Sequence, residues 1–222
     1  MKERHKFGSP FYNQSLKKIF KTELLSFFGR LLKKKKYSIN KDFINLGSGN
    51  DYEYDTKNIL NCDFFTPEFF NIFKKKKIFF IDLRYKLPFH DNSFSGVFSE
   101  HTIEHLYPSE ACNLIKEVFR ILKKNGIFRI VVPDLKKYID YYVDSKNSTL
   151  DKNFSTGCEA IWNISQNFEH KSLWDAEWLK INLEESGFSN FKIQSFKKGD
   201  VKELLIDKES RKNESLYIEV RK

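Results

Sequence analysis

From residue 42 to the end of the chain, short apolar runs alternate with stretches whose apolar positions recur at steps of three and four. That pattern predicts strands interleaved with helices, and so a sheet with helices on both faces. Strands are expected at 43–46, 59–62, 78–81, 96–99, 126–132, 191–196 and 215–220. A helix is expected over 109–123, with Ala111, Leu114, Ile115, Val118, Phe119 and Leu122 on one face and Lys124-Asn125-Gly126 as its stop. A second is expected over 175–186, ending at Gly187, while the period is lost between 138 and 166. Upstream, Leu16, Ile19, Phe20, Leu24, Phe27, Phe28 and Leu31 recur at helical spacing with Lys17, Lys18, Lys21 and Arg30 between them, an amphipathic helix. The pattern divides the chain into a helical appendage, 1–40, and a main domain, 41–222.

Charge sharpens this division. The 222-residue chain carries a net charge of +9, but residues 1–40 hold 11 Lys and Arg against 2 acids, so the main domain is neutral. A neutral domain offers no phosphate-tracking surface, and nucleic acid is not the expected partner. The basic amphipathic segment 14–36 fits two roles: a helix lying on an anionic membrane surface, or a helix packed on the main domain or on a second copy in a homodimer. Cys62, Cys112 and Cys158 are odd in number, widely spaced and without a Cys-x-x-Cys pair. Neither a disulfide framework nor a zinc knuckle is suggested. No apolar run approaches the roughly 20 residues of a membrane span, and the first ten residues lack a signal peptide's apolar segment. A cytoplasmic protein is expected, peripheral at the inner face of the membrane if the helix adsorbs there.

Candidate chemistry clusters at strand ends. The run FINLGSGN, 43–50, leads an apolar strand into Gly47-Ser48-Gly49, where glycines permit positive φ and remove the Cβ atoms that would block a close-lying small molecule. In a doubly wound sheet, ligands bind beyond the carboxyl ends of the strands, near the point where strand order reverses. Asp63 follows the second strand, Asp82 and Leu83 the third, Ser99, Glu100 and His101 the fourth, and Pro133 and Asp134 the fifth. A carboxylate placed like Asp63 can accept both hydroxyls of a ribose, and Asp82 with Leu83 can hold a purine. Arg84 is expected to be solvated or paired. Separately, His101-Thr102-Ile103-Glu104-His105 matches the H-x-x-E-H pattern of inverted zinc peptidases, in which a helix presents two metal-binding imidazoles. That match needs a helix through His101, where the pattern reads as a strand end, and no third ligand follows on a helix, so no metal is expected.

Taken in order, FINLGSGN, ILNCDFF, FIDLRYKLPFHDNSFSGVFSEHTIEHL and EVFRILKKNGIFRIVVPDL resemble the successive motifs of class I S-adenosylmethionine-dependent methyltransferases. The similarity is to a small bacterial branch with a shortened segment after the glycine loop, and extends over 42–222. It implies a doubly wound, mostly parallel seven-stranded Rossmann-like sheet with the last strand antiparallel. It also implies S-adenosylmethionine as cofactor. Gly47 and Gly49, with Asn45 and Ser48 beside them, would lie under the methionine part. Asp63 would take the ribose, Asp82 and Leu83 the adenine, and Ser99 and Glu100 the space beneath the sulfonium. His105 would be structural at the start of the next helix. The loop departs from the pattern in lacking a third glycine, with Asn50 in its place, and in the short step to the second strand.

Methyl transfer to a hydroxyl needs alignment and removal of a proton, for which imidazole suits neutral pH. His101, at the fourth strand's end, and His170, beyond the irregular segment, are the catalytic candidates. Residues 134–174, rich in Tyr138, Tyr141, Tyr142, Phe154, Trp162 and Phe168, are expected to form an acceptor lid, with most of these aromatics as its core. The acceptor implied by the resemblance is a small molecule or a sugar or glycan hydroxyl, in polysaccharide biosynthesis. The alternatives are a non-catalytic cofactor-binding scaffold and a zinc hydrolase built on His101, Glu104 and His105.

Overall fold

In a computed structural model, residues 16–32, 39–49, 58–64, 78–150 and 154–222 are described. Seven strands form one sheet: β1 (Phe43–Leu46), β2 (Ile59–Asp63), β3 (Phe79–Phe80), β4 (Phe94–Glu100), β5 (Leu122–Pro133), β6 (Ser189–Gln194) and β7 (Ser215–Arg221). Their order is β3-β2-β1-β4-β5-β7-β6. β3 through β5 run parallel, and β7 is inserted antiparallel to both β5 and β6. This is the doubly wound sheet with an antiparallel last strand that the motifs imply. Phe43 of β1 pairs with Ile59 on one side and Gly96 on the other, so strand order reverses at β1 and β4. The switch point therefore opens beside Gly47 and His101.

Among the described residues the helices are α1 (Leu16–Leu32), α2 (Pro108–Ile121), α3 (Leu135–Val143), α4 (Gly157–Gln166) and α5 (Ala176–Glu185). Alternation along the strands splits the core in two. Ile44, Val97, Phe128, Ile130 and Val132 face α2 and α5 and bury Leu114, Ile115, Val118, Leu179 and Leu183. Phe98, Ile127 and Val131 face the other way, against Leu204, Ile206 and Tyr217. Each fully buried aliphatic side chain here contributes about 1.5–3 kcal/mol. On this second face, Arg129 is fully buried in the middle of β5. Its Nε and Nη2 donate to Asp207 at 2.9 and 2.6 Å, and its Nη1 donates to Glu219 at 3.0 Å and to the Lys198 carbonyl at 2.9 Å. The chain between β6 and β7 is thereby pinned to the sheet.

Several boundaries differ from the sequence expectation. α2 stops at Ile121 rather than 123, and β5 starts at Leu122, because Leu122 pairs with Phe94 ahead of the left-handed Asn125 (φ 63°). β3 is reduced to two paired residues, and β6 lies two residues earlier than 191–196. The largest difference is in 138–166, which holds two helices. Asp134 caps α3 by accepting from the Lys136 amide at 3.1 Å, and Thr156 caps α4 by accepting from the Glu159 amide at 3.1 Å. Tyr138, Tyr141, Leu150, Ala160 and Ile164 form a small core between them, and Phe154 packs on it. Tyr142, Trp162 and Phe168 are exposed, so only half of the aromatics serve as core.

α1 lies against the C-terminal end of β3. Within 19–31, Ser26 and Gly29 are its buried positions, and a Cβ on Gly29 would overlap the Phe80 ring. Small residues let the helix backbone approach the strand. The consequence is that Phe20, Leu24, Phe27, Phe28 and Leu31 stay at the surface. Among the described residues no helix is long and apolar enough to cross a membrane.

Candidate functional site

The ends of β1, β2 and β3 surround a cavity of about 400 Å³, within the range of small-molecule sites. The glycine loop forms its floor. Gly47 sits at φ 74°, where a Cβ would overlap the Thr102 hydroxyl, so both conformation and space demand glycine. Its amide and that of Ser48 donate to the Cys62 carbonyl at 2.9 and 3.0 Å, locking the loop onto β2. Gly49, at φ 64°, meets nothing within 4 Å where a Cβ would stand, so its bare face opens onto the cavity. Asp63 accepts from the Gly49 amide and, at 2.5 Å, from the Phe64 amide. Burial pushes its carboxyl above the usual range, opposed by these two amides and by Lys208.

α1 supplies the facing wall through Ile19, Thr22 and Glu23. Ser26 Oγ donates to Asp82 at 2.6 Å, and Arg84 binds the same carboxylate through Nε at 3.0 Å and Nη2 at 2.7 Å while its Nη1 bonds Glu23. Burial raises the Asp82 carboxyl, but the Arg84 and Ser26 hydrogen bonds outweigh it and hold the group below the ordinary range. Arg84 is thus paired, as its position suggested. Leu83 lines the cavity beside Asp82.

Four sequence candidates do not line this cavity. Asn45 turns along the sheet and donates to Asn61 at 3.2 Å, its partner in register on β2. Ser48 and Ser99 are buried, each with an unbonded hydroxyl. Glu100 points to the opposite face, where the Lys208 amide donates to its Oε1 at 3.0 Å and Arg211 stands 3.8 Å from Oε2. Strand alternation explains Glu100, which shares a face with Phe98.

A second cavity, of about 460 Å³, adjoins the first and shares His101, His105 and Arg211 with it. His101 leaves β4 in a left-handed conformation, φ 47°, and residues 103–105 form one short 3-10 turn. The helix that H-x-x-E-H would need is absent, which removes the inverted-peptidase arrangement. His105, expected to be structural at a helix start, ends this short 3-10 turn instead and lines both cavities. Its imidazole is pushed down to about 4, first by burial and then by His170 and Arg211. Glu104 is 1 % exposed and neither of its oxygens accepts a hydrogen bond, although its own amide lies close. Burial raises this carboxyl to about 8.

His170 reaches the second cavity from the far side. The amides of Lys171 and Ser172 donate to the Glu104 carbonyl at 2.7 and 3.1 Å, and Ser172 Oγ donates to the Ile103 carbonyl at 3.3 Å. The His170 and His105 rings consequently stand edge to face, 5.0 Å apart. Phe168 and Glu169, just before it, are both left-handed, at φ 58° and 62°, a cost of about 1–2 kcal/mol each. The two histidines singled out in the sequence, His101 and His170, do meet at one cavity. Lys171, Lys208 and Arg211 were missed, and Glu104 and His105 were singled out only through the H-x-x-E-H run, as parts of the zinc-hydrolase alternative.

Comparison with known proteins gives a consistent fold. Residues 56–130 match the family described as Methyltransferase domain. A SAM-dependent methyltransferase from Archaeoglobus fulgidus superposes with a TM-score of 0.54 at 17% identity, covering 94% of this chain and 100% of that one. One from Thermotoga maritima, described as a possible histamine N-methyltransferase, gives 0.52 at 18%, covering 93% and 94%. One from Mesorhizobium loti gives 0.51 at 14%, covering 90% and 100%. No curated protein matches the chain in sequence. The sheet order, the glycine loop at its switch point and these superpositions give the chain the fold of S-adenosylmethionine-dependent methyltransferases, and residues 56–130 carry the similarity to the Methyltransferase domain family.

Proposed function

We propose that the protein is an S-adenosylmethionine-dependent methyltransferase that O-methylates a small-molecule or sugar hydroxyl. The observation that carries this reading is the pair of adjoining cavities with His101 at their junction. The first fits the cofactor: Gly49 leaves an open face for its methionine part, and Asp63 keeps acceptor capacity for a ribose beyond the two amides it binds. Bound there, the cofactor would supply an electrophilic methyl group on sulfur. Asp82 is already engaged by Ser26 and Arg84, so the adenine is framed by the apolar face of Leu83 and by α1 rather than by a free carboxylate.

The second cavity takes the acceptor. His101 Nε2 lies 2.7 Å from Ser215 Oγ, which itself donates to the Arg211 carbonyl at 2.7 Å, so the hydroxyl proton is spoken for and Nε2 is the donor to Ser215. Nδ1 of His101 is then the basic nitrogen, 3.8 Å from Glu104, and it receives the acceptor proton. α3 and α4 act as the acceptor lid, with exposed Phe168 and polar Glu169 and Glu214 offering contacts suited to a sugar ring.

Calorimetry of the full chain with S-adenosylmethionine and S-adenosylhomocysteine tests the reading. Micromolar binding of both is expected, and absence of binding would leave a scaffold built on the same fold.

A further inference from the structure

Glu104 is sealed from solvent beneath the second cavity, yet neither of its oxygens accepts a hydrogen bond. A buried carboxyl group whose oxygens have no hydrogen-bond partner is costly in either protonation state, so an arrangement that retains one calls for a compensating group. What surrounds it is imidazole: His101 Nδ1 stands 3.8 Å and His105 Nε2 4.0 Å from Oε1. One ligand atom each from Glu104, His105 and His170 all lie within 4.8 Å of one another.

The orientation of His170 adds a second, independent observation. Its Nδ1 is 2.6 Å from the Ile164 carbonyl, an acceptor, so Nδ1 carries the proton and Nε2 keeps the lone pair. A backbone carbonyl that fixes the tautomer of an imidazole in this way is the usual support of a metal-binding histidine. The amides of Lys171 and Ser172, bonded to the Glu104 carbonyl, fix the spacing of the two segments. We propose that Glu104, His105 and His170 form a binding site for a divalent transition-metal ion. Two imidazoles and one carboxylate favour zinc, iron, cobalt or manganese over calcium and magnesium, which prefer oxygen ligands throughout. Bonds of about 2.0–2.2 Å bring ligand atoms roughly 3–4.4 Å apart, against separations here of up to 4.8 Å, and both imidazole rings are partly exposed. Three protein ligands leave further positions open to the acceptor cavity, where the ion would hold a hydroxyl oxygen of the acceptor within reach of His101.

The site differs from the peptidase pattern seen in the sequence. Its third ligand comes not from a helix but from a segment 65 residues downstream of His105, by way of the backbone pairing of 171–172 with 103–104.

The proposal stands apart from the cofactor assignment, and one experiment separates them. Metal-free full-length protein is titrated with Co²⁺, followed by calorimetry and by visible absorption. One equivalent is expected to bind with ligand-field bands of nitrogen and oxygen coordination. His170→Ala and Glu104→Gln should each weaken binding by on the order of 10-fold or more, while His90→Ala, an exposed imidazole elsewhere, should not. Co²⁺ should also raise the unfolding temperature of the wild type more than that of either variant. Should Glu104→Gln fail to fold, His170→Ala, at a half-exposed ring, still decides the matter. Absence of stoichiometric binding, or variants that bind Co²⁺ as the wild type does, overturns the site. S-adenosylhomocysteine binding by the metal-free protein is measured in parallel and reports only on the cofactor cavity.

Discussion

Replacing Asp63 by Asn isolates the group on which the proposed cofactor site rests most directly. Each Asp63 oxygen already accepts one backbone amide, from Gly49 and from Phe64. An ionised carboxylate offers about four acceptor directions, so two remain for the ribose hydroxyls. Asn removes the charge and turns an NH₂ group toward one of those amides, so at least one charge-assisted hydrogen bond is lost. Such a bond contributes about 1.5–3 kcal/mol, and at about 1.4 kcal/mol per decade the dissociation constant should rise roughly 10- to 100-fold. Calorimetry with S-adenosylhomocysteine, which cannot react, measures this directly. The fold should tolerate the change, because burial already disfavours the charge, raising the carboxyl above its ordinary value. The same shift gives a pH signature. The ionised form accepts both hydroxyls, so wild-type affinity should fall as pH drops through that raised value, whereas the Asn variant should show a flat profile. Binding by Asp63→Asn within twofold of wild type would remove Asp63 from the cofactor site and with it the placement of the ribose.

Arg129→Met should lower the unfolding temperature by about 6–20 °C, because it strands Asp207 and Glu219 as buried charges at about 3–5 kcal/mol, with about 2–4 °C lost per kcal/mol in a chain of this size; a change below about 2 °C would refute the network's role, and adding Asp207→Asn and Glu219→Gln should restore much of the loss. Docking of α1 should depend on pH. Asp82 is held below its ordinary value of 3.8, so its contribution is present above that value and lost as pH falls through the depressed one. Proteolysis within 16–32 should accelerate there, and at neutral pH in Ser26→Ala; cleavage indifferent to both would refute it. If the exposed Phe20, Phe27 and Phe28 adsorb to lipid, full-length protein should co-sediment with anionic liposomes while a version starting at Asn40 should not. Equal absence of binding ends the membrane role and leaves the apolar face to a second copy.

What the sequence made legible was local, and what it concealed depended on long-range pairing. Strand ends were visible because apolar runs stop at Asp63, Asp82 and Glu100, and the glycine loop because only glycine tolerates the approach of Thr102 to Gly47. Glu100 was misplaced because a strand end alone does not say which face a side chain takes; the pleat sets that, and it turns Glu100 to Lys208. Arg129 was hidden in an otherwise apolar strand, since its partners Asp207 and Glu219 lie 78 and 90 residues away. The helices within 134–174 were missed although their caps, Asp134 and Thr156, are ordinary ones, because the aromatic-rich stretch between them blurs the apolar period. The same reasoning explains His105. Its neighbours in sequence suggested either a peptidase helix or a structural role. The pairing of Lys171 and Ser172 with Glu104 instead brings His170 beside it, at the junction where the two cavities meet. A site assembled from two short turns leaves no periodic trace, and that is why its chemistry emerges only once the backbone of 103–104 and of 171–172 is seen side by side.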